Sequence, residues 1–138
     1  MITVSCREET YRYNAFHMLK AFFPSEEVRS ELKETQSEFI LVYGSEGGIT
    51  ASVTAAGAKN DAERQLYIQL HKLTGNDLPW GILMGVRPTK PAMKAVKSGI
   101  TGESFIRSFM EEKLVSAPKA ASAWQIACRE NEIIQRIE

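Results

Sequence analysis

The chain is poor in several things, and each scarcity removes a class of protein. Cysteine occurs twice, as Cys6 and Cys128, at opposite ends of 138 residues. That is not a disulfide framework, and both thiols read as packed or idle in a reduced, cytoplasmic setting. Histidine also occurs twice, as His17 and His71. With the cysteines these supply the element types of a zinc site but none of its close-spaced ligand pairs, so no metal site is expected here. Charge of one sign is lacking: 17 Lys and Arg balance 17 Asp and Glu. Non-specific nucleic-acid affinity comes mainly from cations meeting phosphates, so no nucleic-acid partner is expected, although a local basic patch remains open. No apolar run approaches the ~20 residues that cross a bilayer. ITVSC is too short for the apolar core of a signal peptide and is followed at once by Arg7, Glu8 and Glu9, so no membrane association is expected.

What remains is an ordinary globular composition, 43% apolar and 25% charged, on a chain long enough for one domain with a real core. Residues 2–7 alternate and are rich in β-branched side chains, which predicts a strand. TYRYNAFHMLKAFF places Tyr11, Ala15, Met18 and Phe22 on one stripe, with Phe16, Leu19 and Phe23 beside it, and Pro24 stops this helix. SEEVRSELKETQ fits an edge strand or a short polar helix, and the strand is preferred. EFILVY and ITASVTAA flank the glycine-rich GSEGG as a hairpin. Asn60 with Glu63 resembles a capping box for a helix whose inward stripe is Ala62, Leu66, Leu70 and Leu73, closed by Gly75. The remainder is helical. ESFIRSFMEEKL offers Phe105, Ile106, Phe109 and Met110 as a buried side. A long helix from about residue 117 lines one flank with Ala120, Ala123, Trp124, Ala127 and Ile134, widened by Ile126, Ile133 and Ile137. It reaches Glu138 without a stop signal, so the chain is expected to continue.

The order β-α-β-β-β followed by helices predicts an α+β fold: a small antiparallel sheet with the C-terminal helices packed on it. The 138 residues read as one domain, with a sheet part at 1–58 and a helical part at 59–138.

Few residues suggest chemistry. GSEGG is followed by a strand rather than a helix, so a hairpin turn is favoured over a phosphate cradle. No nucleophile-elbow context surrounds any serine, and no catalytic residue is assigned. The acidic pairs, Glu111-Glu112 among them, read as solvated surface. One run is peculiar: LPWGILMGVRPTK, residues 78–90. Pro79 suits the first turn of a short helix carrying Trp80, Ile82 and Leu83 inward, ended by Gly85. Thr89 then caps a second helix that Gly99 stops. Arg87, Lys90, Lys94 and Lys97 are spaced three, four and three apart, which forms one basic stripe beside Met93, Val96 and Ile100. Such a row suits an anion with an apolar body, with Arg87 the most valuable member because its planar fork binds carboxylate or phosphate in two places. A solvated face whose lysines snorkel has the same pattern.

LPWGILMGVRPTK, the KAVKSG after it and the later EEKLVSAPKAASAWQIACRENEII together resemble a known N-terminal region. It precedes the catalytic barrel of oxygen-independent coproporphyrinogen III oxidase-like radical SAM proteins, the coproporphyrinogen dehydrogenase group. Gly-Val-Arg-Pro-Thr-Lys is the most specific element; the first 60 residues match only in layout. The resemblance implies a radical SAM domain beyond Glu138, holding S-adenosylmethionine and a 4Fe-4S cluster on a Cys-x3-Cys-x2-Cys triplet. Two distant cysteines cannot hold that cluster, so this stretch is expected to bind no cofactor and to be catalytically inert alone. The parent reaction implied is oxidative decarboxylation of two propionates of coproporphyrinogen III in porphyrin and haem biosynthesis. Arg87, Lys90, Lys94 and Lys97, with Trp80, would then meet the substrate's carboxylates or dock this stretch onto its own radical SAM domain. Two other readings compete: an RNA- or nucleotide-binding module using the helix at 87–98, and a structural dimerisation module.

Overall fold

The computed structural model describes residues 1–35, 37–44, 49–54, 61–83 and 87–137. The hairpin turn expected within GSEGG, the Asn60 cap and the helix stop at Gly85 therefore lie outside the described residues. Contacts cluster into two compact units, Met1–Leu78 and Pro79–Glu138.

The first unit contains β1 (Ile2–Cys6), α1 (Glu9–Phe22), β2 (Val28–Leu32), β3 (Ile40–Gly44), β4 (Ile49–Val53) and α2 (Asp61–Thr74). The strands form one sheet in the order β2-β1-β3-β4. β1 and β2 run parallel, whereas β1–β3 and β3–β4 are antiparallel. The fold is α+β as expected, but the sheet is mixed rather than purely antiparallel. The reason is connectivity: α1 lies between β1 and β2, and a helical crossover returns the chain in its original direction.

Register places Val4 against Val42 and Val42 against Ala51, and Cys6 against Ile40 and Ile40 against Val53. These six side chains are buried, and they share the first unit's core with Ala15, Met18, Leu19 and Phe22 of α1 and Ala62, Leu66 and Leu70 of α2. Leu66 and Leu70 are fully buried; truncating either to alanine costs about 2–5 kcal/mol, the transfer term plus a cavity. The 3.6-residue stripe of α2 thus belongs with the sheet, so the division falls after residue 78 rather than after 58. Tyr67 completes its buried face, and Leu73 is exposed. Beyond it, Gly75 adopts φ +74° and closes the helix as expected.

The second unit contains α3 (Thr89–Lys97), α4 (Gly102–Lys113) and α5 (Ala117–Ile137). Its core joins Ala92 and Ala95 of α3, Phe105 and Phe109 of α4, and Ala120, Ala123 and Ala127 of α5. Alanines on α3 and α5 let those two backbones approach, and the two phenylalanines fill the remaining space. Phe105 and Phe109 rings lie 4.7 Å apart, and Phe105 stacks on Trp124 at 5.5 Å. Thr101 caps α4 by accepting from the Ser104 backbone N–H at 3.2 Å.

Two expectations fail here, and helix length accounts for the last three isoleucines of α5. Met110 is exposed, as are Ile126, Ile133, Ile134 and Ile137. α5 has 21 residues and α3 only nine, lengths of about 32 and 14 Å at 1.5 Å per residue. A short partner cannot cover the whole apolar stripe of a long one.

Candidate functional site

The sequence singled out the segment from Trp80 to Lys97, and the structure divides it into parts with different roles. Residues 79–82 form a turn, not the short helix that Pro79 suggested, with the Leu83 N–H donating to the Trp80 carbonyl at 3.0 Å. Gly81 at φ +56° breaks any helix there. This glycine also lies against the end of α4. A Cβ added to it would come within 2.2 Å of the Lys113 carbonyl oxygen and 2.3 Å of that of Leu114. The closeness allows two backbone hydrogen bonds: Ile82 N–H to the Lys113 carbonyl at 2.9 Å, and Ser116 N–H to the Pro79 carbonyl at 3.0 Å. The Pro-Trp-Gly run is therefore a backbone clasp. Trp80 is half-buried against the second core, with the Lys119 ammonium 5.6 Å from its ring centroid. That places Trp80 in packing and a cation–π contact rather than beside the basic row.

The basic row itself forms. Lys90, Lys94 and Lys97 are exposed on one face of α3, opposite the buried Ala92 and Ala95. Spacings of four and three keep three ammoniums within about 60° on a 3.6-residue helix. Pro88 occupies the N-cap and makes no side-chain cap, so Thr89 is the first helical residue and not the cap expected of it. Arg87 is exposed just outside the helix, and its carbonyl accepts from the Lys90 N–H at 2.9 Å. Of the neighbouring apolar strip, Met93 and Val96 turn partly into the core and Ile100 stays exposed.

One member of the row has a further neighbourhood. A groove of about 250 Å³ opens between α3 and α4. Pro91, Ala95, Ile100, Phe105 and Phe109 supply its apolar wall, while Lys94, Lys113, Glu112, Ser98 and Ser108 supply its polar groups. Lys94 belongs to this groove; Arg87, Lys90, Lys97 and Trp80 do not line it. Among the described residues neither the Lys94 ammonium nor the Glu112 carboxylate has an ion-pair partner. Ser98 Oγ donates to the Lys94 carbonyl at 2.8 Å and keeps its lone pairs for an incoming donor.

Sequence reasoning missed Ser108, Glu112 and Lys113. A weak signal existed, since Ser108 and Glu112 are four apart, on the same side of α4 as Phe105 and Phe109. Read alone, however, a Glu-Glu-Lys run is the common pattern of a solvated helix end.

The remaining candidates stay apart. Among the described residues no three His, Cys, Asp or Glu side chains are grouped to hold a metal ion. Cys6 is buried in the first unit, and desolvation pushes its thiol up to about 12, against a smaller lowering by Arg12. Cys128 is half-buried in the second unit and free. His17 is exposed on α1; His71 Nδ1 sits 3.0 Å from Asp77 Oδ1 and 2.9 Å from the Asn76 carbonyl, a cap on the end of α2. Among the described residues no helix is long and apolar enough to cross a membrane. Comparison with family models, with curated proteins and with solved structures finds no match to this chain.

Proposed function

We propose that this chain is the non-catalytic N-terminal part of a coproporphyrinogen III oxidase-like radical SAM enzyme, and that it presents a cationic face to polycarboxylates. The observation that carries the reading is the solvent-facing row of Lys90, Lys94 and Lys97 on α3, with exposed Arg87 just ahead of it. A tetracarboxylate on an apolar macrocycle matches several cations spread along about two turns, each giving a modest, salt-sensitive attraction. The macrocycle exceeds a 250 Å³ groove, so its carboxylate arms would meet the row from outside. The cluster, S-adenosylmethionine and the radical chemistry would belong to a domain after residue 138, and this chain would bind and orient.

The test has two parts. Translation of the gene past Glu138 should reveal Cys-x3-Cys-x2-Cys; its absence would end the proposal. Titration of the chain with a porphyrin tetracarboxylate, followed by the porphyrin's visible absorption, should give saturable binding. It should weaken several-fold on Arg87→Ala and further on Lys90→Ala/Lys94→Ala, and weaken with salt. Binding that ignores these substitutions would remove the row from the function.

A further inference from the structure

We infer that the chain pairs with a second copy of itself through the outer edge of β2, joining two sheets into one across a two-fold axis at Ser30. β2 and β4 are the outer strands of the sheet. On β4, Gln69 of α2 occupies the backbone of Ser52; among the described residues nothing does the same for β2. The ladder between β2 and β1 begins with the Ile2 N–H donating to the Glu27 carbonyl and ends with the Lys33 N–H donating to the Cys6 carbonyl, each at 2.9 Å. Alternate residues of a strand turn towards a given neighbour, so residues 27, 29, 31 and 33 face β1. The N–H and C=O groups of Val28, Ser30 and Leu32 therefore point away from the sheet, a template for another strand. Arg12 of α1 reaches only the Ser30 hydroxyl, at 3.4 Å, and Leu32 is exposed.

The side chains choose the partner. Glu27, Arg29, Glu31 and Lys33 alternate in sign along one face of the strand. Neighbours pair within it: Arg29 Nε lies 3.5 Å from Glu27 Oε1, and Lys33 Nζ 3.3 Å from Glu31 Oε1. Charge on an edge usually turns an incoming strand away, but this order is self-complementary. Antiparallel pairing with Ser30 opposite Ser30 of the second copy sets Arg29 against Glu31, Glu27 against Lys33 and Val28 against Leu32, each twice by symmetry. The three outward residues then meet as hydrogen-bonded pairs. Arg29 and Glu31 fall in the non-hydrogen-bonded pairs, where side chains approach most closely. Sliding one strand by two residues, the smallest step that keeps the hydrogen bonds, puts Arg29 opposite Arg29 or Glu31 opposite Glu31. The sign pattern thus fixes one register and one partner. β2 belongs to the Met1–Leu78 unit and the lysine row to the other, so the pairing stands whether or not the chain serves a porphyrinogen enzyme.

Sedimentation equilibrium of the chain tests the pairing. The parent should move from 15.4 kDa towards twice that mass between about 1 µM and 1 mM, the range of a small interface, and less readily as salt is added. Arg29→Glu and Glu31→Arg each set like charges opposite one another, and each should weaken self-association about tenfold. Mixed in equal amounts, the two variants should associate with each other about as well as the parent does with itself, because every charge again meets its opposite. Arg29→Glu mixed with Glu27→Lys carries the same net charges with mismatched opposites and should stay weak. Glu27→Lys and Lys33→Glu, both on exposed side chains, repeat the exchange without touching the Tyr43 bond to Glu31. Lys94→Ala on α3 should change nothing. A parent that stays at monomer mass, or variants that associate as it does, would overturn the pairing. So would a matched mixture no stronger than its components or than the mismatched one, and so would loss of association on Lys94→Ala. A failed porphyrin titration leaves these outcomes unaffected.

Discussion

The side-chain amide of Gln69 makes both backbone hydrogen bonds of Ser52: Nε2 donates to the Ser52 carbonyl at 2.7 Å, and Oε1 accepts the Ser52 N–H at 3.1 Å. β4 is an edge of the sheet, so Gln69 occupies the place of a fifth strand's peptide group. Edge strands invite pairing with other chains, and a side chain from α2 closes this one towards its C-terminal end.

Replacing Gln69 by alanine should therefore do two things. It should cost about 1–3 kcal/mol, two hydrogen bonds at the usual net value, measured by urea unfolding. It should also raise concentration-dependent association, seen by sedimentation. Gln69→Glu should be worse than a simple isostere, because a carboxylate keeps the bond from Ser52 N–H but opposes the Ser52 carbonyl. A glutamate variant as stable as the parent would show that the amide pairing contributes little.

Two glycines with positive φ should respond differently to alanine. At Gly81 the new methyl meets the Lys113 and Leu114 carbonyls, and φ is +56°; strain and overpacking together should cost about 2–5 kcal/mol. At Gly99, φ is +79° but nothing lies within 4 Å, so only the conformational cost of about 1 kcal/mol applies. Thermal unfolding of the two variants checks the order. Equal losses would mean that the clasp between the Pro-Trp-Gly turn and the end of α4 yields easily.

Asn14 on α1 donates to Glu63 on α2 at 3.0 Å, and Glu63 is buried. Asn14→Ala should destabilise by about 1–3 kcal/mol because it strips a partner from a buried carboxylate. Glu63→Leu in that background should recover part of the loss, since the charge is then gone. A double-mutant cycle measures the coupling, and a coupling near zero would reassign Glu63 to solvent.

The buried Cys6 thiol, held up to about 12 from 9.0, makes a signed pH prediction. Between those values the unfolded chain loses its thiol proton while the folded chain keeps it. Stability is therefore full below about pH 9 and falls as pH rises towards 12. Cys6→Ala should lessen that alkaline slope, measured by urea midpoints at stepped pH. In native protein an aromatic disulfide reagent should react with half-buried Cys128 and spare Cys6 until denaturant is added. Rapid reaction of both thiols in the native state would contradict the packing of β1.

Much of the architecture could be read from local pattern. Strand alternation, the 3.6-residue stripes of α1 and α2, and glycines at helix ends act over a few residues, so most of the described elements, their order and the α+β class follow from short windows, whereas β2 fitted a strand or a helix and the short helix expected at Pro79 is a turn. The exposed lysine row on α3 follows the same way, because helical spacing alone puts Lys90, Lys94 and Lys97 on one side. Non-local features leave no such trace. The parallel pairing of Ile2 with Val28, the Gln69 cap on Ser52 and the Gly81 approach to Lys113 each join residues 17 or more positions apart. The groove that sets Lys94 near Ser108 and Glu112 is likewise a product of packing between α3 and α4. Periodicity says which face of an element is apolar, and packing alone says which neighbour that face will meet.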